Sequence, residues 1–438
     1  MPCHGRHTTP ENRKPQPGRH SLKTLRAWAV YRRACANERA VDVDALQQLG
    51  LGGQRPCVTP RPLKLQGVLR RLGPLWPLLL RLLAAAWLWG VYPLLLLWQL
   101  ARTVGEWRSL RTMEGPLKGD VGLCLSGRMK SLADCLPEER RPRQWLACPW
   151  EPAAAPADVD PVSVLSPCRW KDLARCAYLA WTGARIVRRR GLQAPGRPVE
   201  PTDVLQTYVG WPWFLTWELL PRMIEPSAGV WYANHYDRWA VLVDCLPVRC
   251  RRHLIEHGFV RTTMQLRHRM RRTDEVLYFD EPTRRNLLEV VLAKACRPVC
   301  TPIAIRLPLT DWPRPSEKRA LLLVIGSPLD PAGERQLLEK LLQTQPDVHI
   351  LYKPHPVYGR RGAAHVVGLG VELVWGRNTF PAVDVVLSNG SWLGAEYEST
   401  GTPVVWYGTL PLSVALEQTA AHLAPAAASP TVHATRAA

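Results

Sequence analysis

None of the twelve cysteines in this 438-residue chain stands in a C-x-x-C pair. The closest pairs, Cys245/Cys250 and Cys296/Cys300, have no matching histidine cluster, so no zinc site is expected. Scattered thiols in a chain this long fit a reducing compartment better than a disulfide framework. No secretory signal is expected, because the first apolar run starts only at Leu72. The D-x-D pairs Asp42/Asp44 and Asp158/Asp160 fall in a tail and a linker, away from any clear strand end, so no metal is expected. Acidic residues are scarce, 37 against 57 Lys and Arg, for a net charge of +20. That excess suggests a polyanionic partner: nucleic acid, an anionic membrane surface or a phosphorylated substrate. It is unevenly placed, since residues 321–410 hold six basic and eight acidic side chains. The basic tail lacks aromatics interleaved on a defined fold, which argues against nucleic acid.

Residues 1–65 are rich in Arg, Pro, His and Gly and are predicted to be a disordered basic tail. Residues 66–110 read as an apolar, membrane-associated helical segment. Its uncharged part, Leu82 to Leu100, has 19 residues, about what a helix needs to cross a bilayer core. Trp76, Trp87, Trp89, Tyr92 and Trp98 prefer the membrane interface. Pro77 and Pro93 kink the segment, and Arg81 interrupts it. Both flanks are basic, with Arg70 and Arg71 before and Arg102 and Arg108 after, which resists a simple span. An in-plane or re-entrant segment keeps both flanks on one side; a span and a buried core helix are the alternatives. Residues 111–224 read as a helical and linker region. Within it, 170–190 is a helix ended by Gly191 with a basic cluster at Arg185, Arg188, Arg189 and Arg190, and 203–223 is a second helix interrupted near Pro212.

From residue 229 apolar strands alternate with helices of 10 to 15 residues, a pattern that predicts parallel βαβ units and an α/β fold. In such sheets the loops after the strands carry the ligand. Two of these loops stand out. In "ILYKPHPVYGR" the prolines stop the strand and hold Lys353 and His355 rigidly at its end, suited to stabilise charge on a leaving phosphate. In "LSNGSWLGAEYESTGTPVV" the loop Ser388-Asn389-Gly390-Ser391 precedes a helix, a natural phosphate cradle, and Glu396 can accept the two hydroxyls of a ribose. The plainer alternative is that the serines only cap the helix.

The pattern K-P-H-P, Ser loop, Glu and Gly-x-Pro-Val resembles the donor-binding domain of GT-B glycosyltransferases. It is closest to the bacterial capsule and cell-wall group of polysialyltransferase-like enzymes and CDP-glycerol glycerophosphotransferases. Lys353, His355, Pro356, Ser388, Ser391, Gly394, Glu396, Gly401 and Pro403 occupy the matching positions, over about residues 225–410. The chain departs from the group's paired serines, so either Ser388 or Ser391 would meet the phosphate. The resemblance implies two Rossmann-like lobes, an acceptor lobe at 225–316 and a nucleotide-donor lobe at 317–415, with an N-terminal helical, membrane-associated extension and an Ala-rich tail at 416–438. It makes His257 of "LIEHGFV" the candidate catalytic base, a role suited to a side chain that titrates near neutrality. Asp237 or His235 would orient it or bind acceptor.

The implied activity is inverting, metal-independent and cofactor-free. A sugar or polyol phosphate passes from a nucleotide-activated donor, CMP or CDP favoured, to a polysaccharide or lipid-linked acceptor at the cytoplasmic face of the inner membrane. A UDP-sugar 2-epimerase shares the fold, but its further carboxylates and His-x-Glu cluster are missing here. A non-catalytic, membrane-associated scaffold is the third reading, opposed by the intact set of Lys353, His355, Ser391 and Glu396.

Overall fold

The structure, a computed structural model, describes residues 19–48, 73–110, 115–125, 129, 132, 135–148, 161–192, 199–256, 260, 262–304, 307–327, 331–355, 362–376 and 379–424. It is a mixed α/β protein built on two parallel sheets. Helix α1 (Arg19–Gln48) comes first, then α2 (Trp76–Ala86), a π turn at Trp87–Val91, and α3 (Tyr92–Arg108).

The first sheet takes β1 (Val121–Cys124), β2 (Gln144–Ala147), β3 (Val162–Ser163), β4 (Gly229–Tyr232), β5 (Arg251–Ile255), β6 (Glu275–Tyr278) and β7 (Val299–Pro302) in the order β3-β2-β1-β4-β5-β6-β7. Helices α4 (Trp170–Arg190), α5 (Pro201–Leu205), α6 (Gly210–Met223), α7 (Arg238–Cys245) and α8 (Glu281–Asn286) accompany it. Short β8 (Leu309–Thr310) leads into the second half. There β9 (Ala320–Ile325), α9 (Pro331–Thr344), β10 (Val348–Lys353), β11 (Glu372–Leu373), β12 (Phe380–Pro381), β13 (Val385–Ser388), α10 (Trp392–Ser399), β14 (Val404–Val405) and α11 (Leu412–Leu423) follow. The second sheet has the order β11-β10-β9-β13-β14, while β8 and β12 pair with each other.

All six residues of β9 are buried, as a central parallel strand covered on both faces requires. Ala320, Leu322 and Val324 face α9 and α11; Leu323 and Ile325 face Tyr397 and Leu393 of α10. In each sheet the strand order reverses beside the first strand, between β1 and β4 and between β9 and β13. Crevices open at the carboxyl ends of strands at such reversals.

Four expectations need correction. The tail 1–65 is not disordered throughout, because 19–48 is a helix whose Ala27, Val30, Tyr31, Ala34 and Cys35 lie in the main core. Small residues at helical spacing, among many arginines, hid this face from a hydropathy reading. Residues 111–224 are not only helix and linker, since β1, β2 and β3 belong to the first sheet, which therefore starts well before 225. Strands of four and two residues are too short to show a period. The boundary at 316/317 lies too late: Leu307 and Trp312 already pack in the second half's core beside Phe380. Finally, 416–423 is not tail but the rest of α11, with Leu423 and Thr419 buried.

The apolar segment is helical, and Arg81–Arg108 is long and apolar enough to cross a membrane by length and composition. Pro93 lacks an N–H and its ring crowds the carbonyl four residues back. The π turn accommodates it, with the Tyr92 N–H donating to the Trp87 carbonyl.

Candidate functional site

In the second sheet β10 and β13 flank β9, and Lys353 and Ser388 both stand in register with Ile325. With neighbouring strands about 4.8 Å apart, the two backbones are roughly 10 Å from each other at the same edge. The KPHP turn and the Ser388–Ser391 loop thus straddle Gly326 and Ser327, which follow β9. Lys353 alternates with Pro354 and Tyr352 and shares the face of Leu351, the face that α10 covers through Leu393 and Tyr397. His355, Ser391 and Glu396 are half-buried at this edge.

Two of the expected phosphate ligands have local duties. Lys353 is buried, and its Nζ donates to the carbonyls of Gly376 and Thr379 at 2.8 and 2.7 Å while lying 5.2 Å over the Phe380 ring. Burial pushes its pKa down. Its ammonium ties the segment before β12 to the end of β10. The buried Ser388 hydroxyl accepts the Ser391 N–H at 3.0 Å and so shapes the loop. Gly390 supports that turn at φ +71°. Asn389 lies against the backbone of Gly408.

Ser391 occupies the N-cap of α10, yet its side chain caps nothing. The first N–H groups of a helix have no partner within it. The Gly394 N–H already donates to the Ser391 carbonyl at 2.9 Å, and α10 brings its N-terminus and the Ser391 hydroxyl to the sheet edge. A Cβ on Gly394 would stand 2.8 Å from the Ser388 side chain and from Trp406, so only glycine lets the helix come this close.

Sequence reasoning missed the support beneath. Glu334 of α9 is buried and accepts four hydrogen bonds: from the Ser327 N–H at 2.8 Å, Tyr407 and Tyr352 hydroxyls at 2.7 Å each, and His365 Nε2 at 2.8 Å. This carboxylate fastens the loop after β9 to β10 and to the turn after β14. A Cβ on Gly326 would collide with the Tyr352 hydroxyl.

At the carboxyl edge of the first sheet, β4 runs into Asn234, His235 and Asp237. Asp237 is the N-cap of α7: its Oδ1 accepts the Trp239 and Ala240 N–H groups at 2.9 and 3.0 Å, and its Oδ2 accepts from the Asn234 amide. Burial pushes its pKa up. With these donors engaged, its carboxylate starts a helix. His235 is buried, edge-on to Tyr236. His257 lies outside the described residues.

Its neighbour Glu256, which the sequence reading passed over, is fully buried after β5. Oε2 accepts the Phe279 N–H at 3.0 Å, while Oε1 has no hydrogen-bond partner among the described residues. Burial pushes its pKa up to about 8, against the pull of the Phe279 N–H and with Asp280 adding to the rise. Phe279 also joins the two halves, its ring centroid 5.7 Å from that of Trp392, the first residue of α10. The carboxyl edges of both sheets therefore meet, with Glu256 on one lip and the start of α10 on the other.

Because folding raises the Glu256 pKa from the ordinary 4.5 to about 8, the folded state holds a proton that the unfolded chain releases in that range. Stability falls as pH rises through this window, on the order of a few kcal/mol. Glu256→Gln, uncharged throughout, will flatten that slope and exceed the wild type in denaturant midpoint above about pH 8. Parallel pH profiles for the two proteins would remove Glu256 from the account.

Two further histidines of the first sheet's half have structural settings. His253 stacks on Trp231 and bonds Glu275, and His268 bonds Asp244 at 2.7 Å. Asp244, Cys245 and His268 converge closely enough to hold an ion. The Asp244 oxygens, however, already accept from His268 and from the Arg271 and Arg272 N–H groups.

No family model matches the chain, and no curated protein matches it.

Proposed function

We propose that the protein is an inverting transferase with two Rossmann-like lobes, moving a sugar or polyol phosphate from a nucleotide-activated donor to a polysaccharide or lipid-linked acceptor. The observation that carries this reading is the contact between the carboxyl edges of the two sheets at Phe279 and Trp392: Trp392 follows β13, at the strand-order reversal of the second sheet, and Phe279 follows β6, two strands beyond the reversal of the first. The α10 amides and the Ser391 hydroxyl hold the donor's phosphates. Glu396 accepts the ribose hydroxyls. His355 stabilises charge on the departing nucleotide, while Lys353 and Ser388 shape the loops that present these groups.

His257, the residue after Glu256, takes the acceptor proton as the acceptor oxygen bonds to the donor's anomeric carbon or phosphorus. The bond from that atom to the nucleotide's phosphate oxygen breaks, and the nucleotide leaves with the electron pair. Asp237 holds α7 and with it the wall of the acceptor side.

A thermal-shift screen with CMP, CDP, UDP and GDP tests the reading. Ligand at 100 times its Kd stabilises by about 2.7 kcal/mol, which raises Tm by roughly 3 °C in a protein of this size. At least one nucleotide should do so, CMP or CDP first, and Ser391→Ala should reduce the shift without lowering the Tm of the free protein. If none of the four shifts Tm, the donor site is wrong.

A further inference from the structure

We propose that the face formed by α2, α3 and α4 lies flat on a lipid bilayer with anionic head groups. The apolar helix has two stripes. Ala84, Trp87, Leu88 and Tyr92 pack against Ala184, Val204 and Leu205. The other stripe stands outward: Trp89, Leu94 and Leu97 are 71, 68 and 61% exposed, with Leu78, Leu82 and Trp98 alongside. The π turn adds one residue to the spacing, so both stripes stay aligned on either side of Pro93.

This helix is clamped along its length, which keeps it in plane rather than across a bilayer. Trp87 Nε1 donates to Thr207 Oγ1 at 2.9 Å, the Tyr92 hydroxyl to the Ala180 carbonyl at 3.2 Å, and the Gln99 amide to the Tyr208 carbonyl at 3.2 Å. A span would have to break these bonds and leave their partners unpaired.

The outward stripe continues onto α4. Trp89 meets Trp181 edge-on at 6.2 Å, and Tyr178, one turn earlier on α4, is exposed and reaches Trp28 of α1 at 6.0 Å. On α4 the row Tyr178, Trp181, Arg185, Arg188 shares one face, so rings pass into exposed guanidinium groups. Arg81, Arg102 and Arg108 are exposed on the apolar helix, Arg102 pairing with the half-buried Glu106 at 3.0 Å, and the other described acidic side chains of α1 to α4 are buried.

Apolar side chains, interfacial Trp and Tyr, and a margin in which arginine outnumbers carboxylate match the acyl and head-group layers of an anionic membrane surface. A second copy of the chain suits the face less well, because a two-fold pairing would set its arginines against one another. The bilayer face does not depend on the transferase reading.

Full-length protein mixed with vesicles and floated on a density gradient tests it. Wild type should float with phosphatidylcholine–phosphatidylglycerol vesicles, and much less with phosphatidylcholine alone. Leu94→Glu combined with Leu97→Glu should cut the floated fraction at least about tenfold on both compositions. Arg185→Glu with Arg188→Glu should remove the preference for anionic vesicles. All four positions are exposed, so thermal melting should not change, whereas deleting the helix would strip Trp87 and Tyr92 from their contacts. Equal flotation of the Leu94/Leu97 variant overturns the proposal. So does a wild-type dimer in light scattering that this variant splits while neither protein floats.

Discussion

A chain truncated to begin after residue 48 will not fold. Helix α1 places Tyr31 at 4.7 and 5.1 Å from the rings of Phe214 and Trp213, within the largest core of the molecule. Asn37 donates to the Tyr236 carbonyl and accepts the Arg267 and His268 N–H groups, binding α1 to the loop after β4 and to the segment between β5 and β6. Glu38 forms a buried ion pair with Arg238, whose guanidinium also reaches Gln206. Arg39 pairs with Asp203 and Glu200.

The point variant Glu38→Ala isolates the electrostatic part. It leaves a fully buried guanidinium without its carboxylate, which costs about 3–5 kcal/mol. Against a typical total of about 5–15 kcal/mol that is a large fraction. The denaturant midpoint should fall accordingly. Glu38→Met with Arg238→Met, which removes both charges, should recover much of the loss. A truncated protein that melts cooperatively with native circular dichroism would show α1 to be dispensable.

The second large effect is on turnover. His257→Ala should lower transfer by about 10²- to 10⁴-fold, the usual contribution of a general base. The nucleotide-induced rise in Tm should survive, because the proposed donor groups belong to the second sheet, whereas Glu256, the residue before His257, follows β5 of the first. Turnover within a factor of two or so of wild type would assign the base elsewhere, with Glu256 the nearest alternative: it precedes His257 and is anchored to Phe279. The two measurements keep donor binding and proton transfer apart.

The chain pattern determined the sequential part of this protein. The stretches at 229–232, 251–255, 275–278, 320–325, 348–353 and 385–388 are strands, and the loops after β10 and β13 are at one sheet edge. Local polarity and turn chemistry suffice for that, since a buried parallel strand needs a continuous apolar run and a proline turn must end it. The sequence also marked the apolar segment, but not which of its stripes faces inward.

Tertiary structure alone decided the rest. The strands of residues 121–163 are too brief to declare themselves, and α1 carries its core face in Ala27, Val30, Tyr31, Ala34 and Cys35 among many arginines. Lys353 and Ser388 became supports for their loops, Asp237 a helix cap, and Glu334 the fastening of the β9 loop. Whether a polar side chain serves its own backbone or stands open to a ligand depends on which donors and acceptors the folded chain brings within about 3 Å of it. Those partners lie tens to hundreds of residues away, beyond the reach of any local pattern.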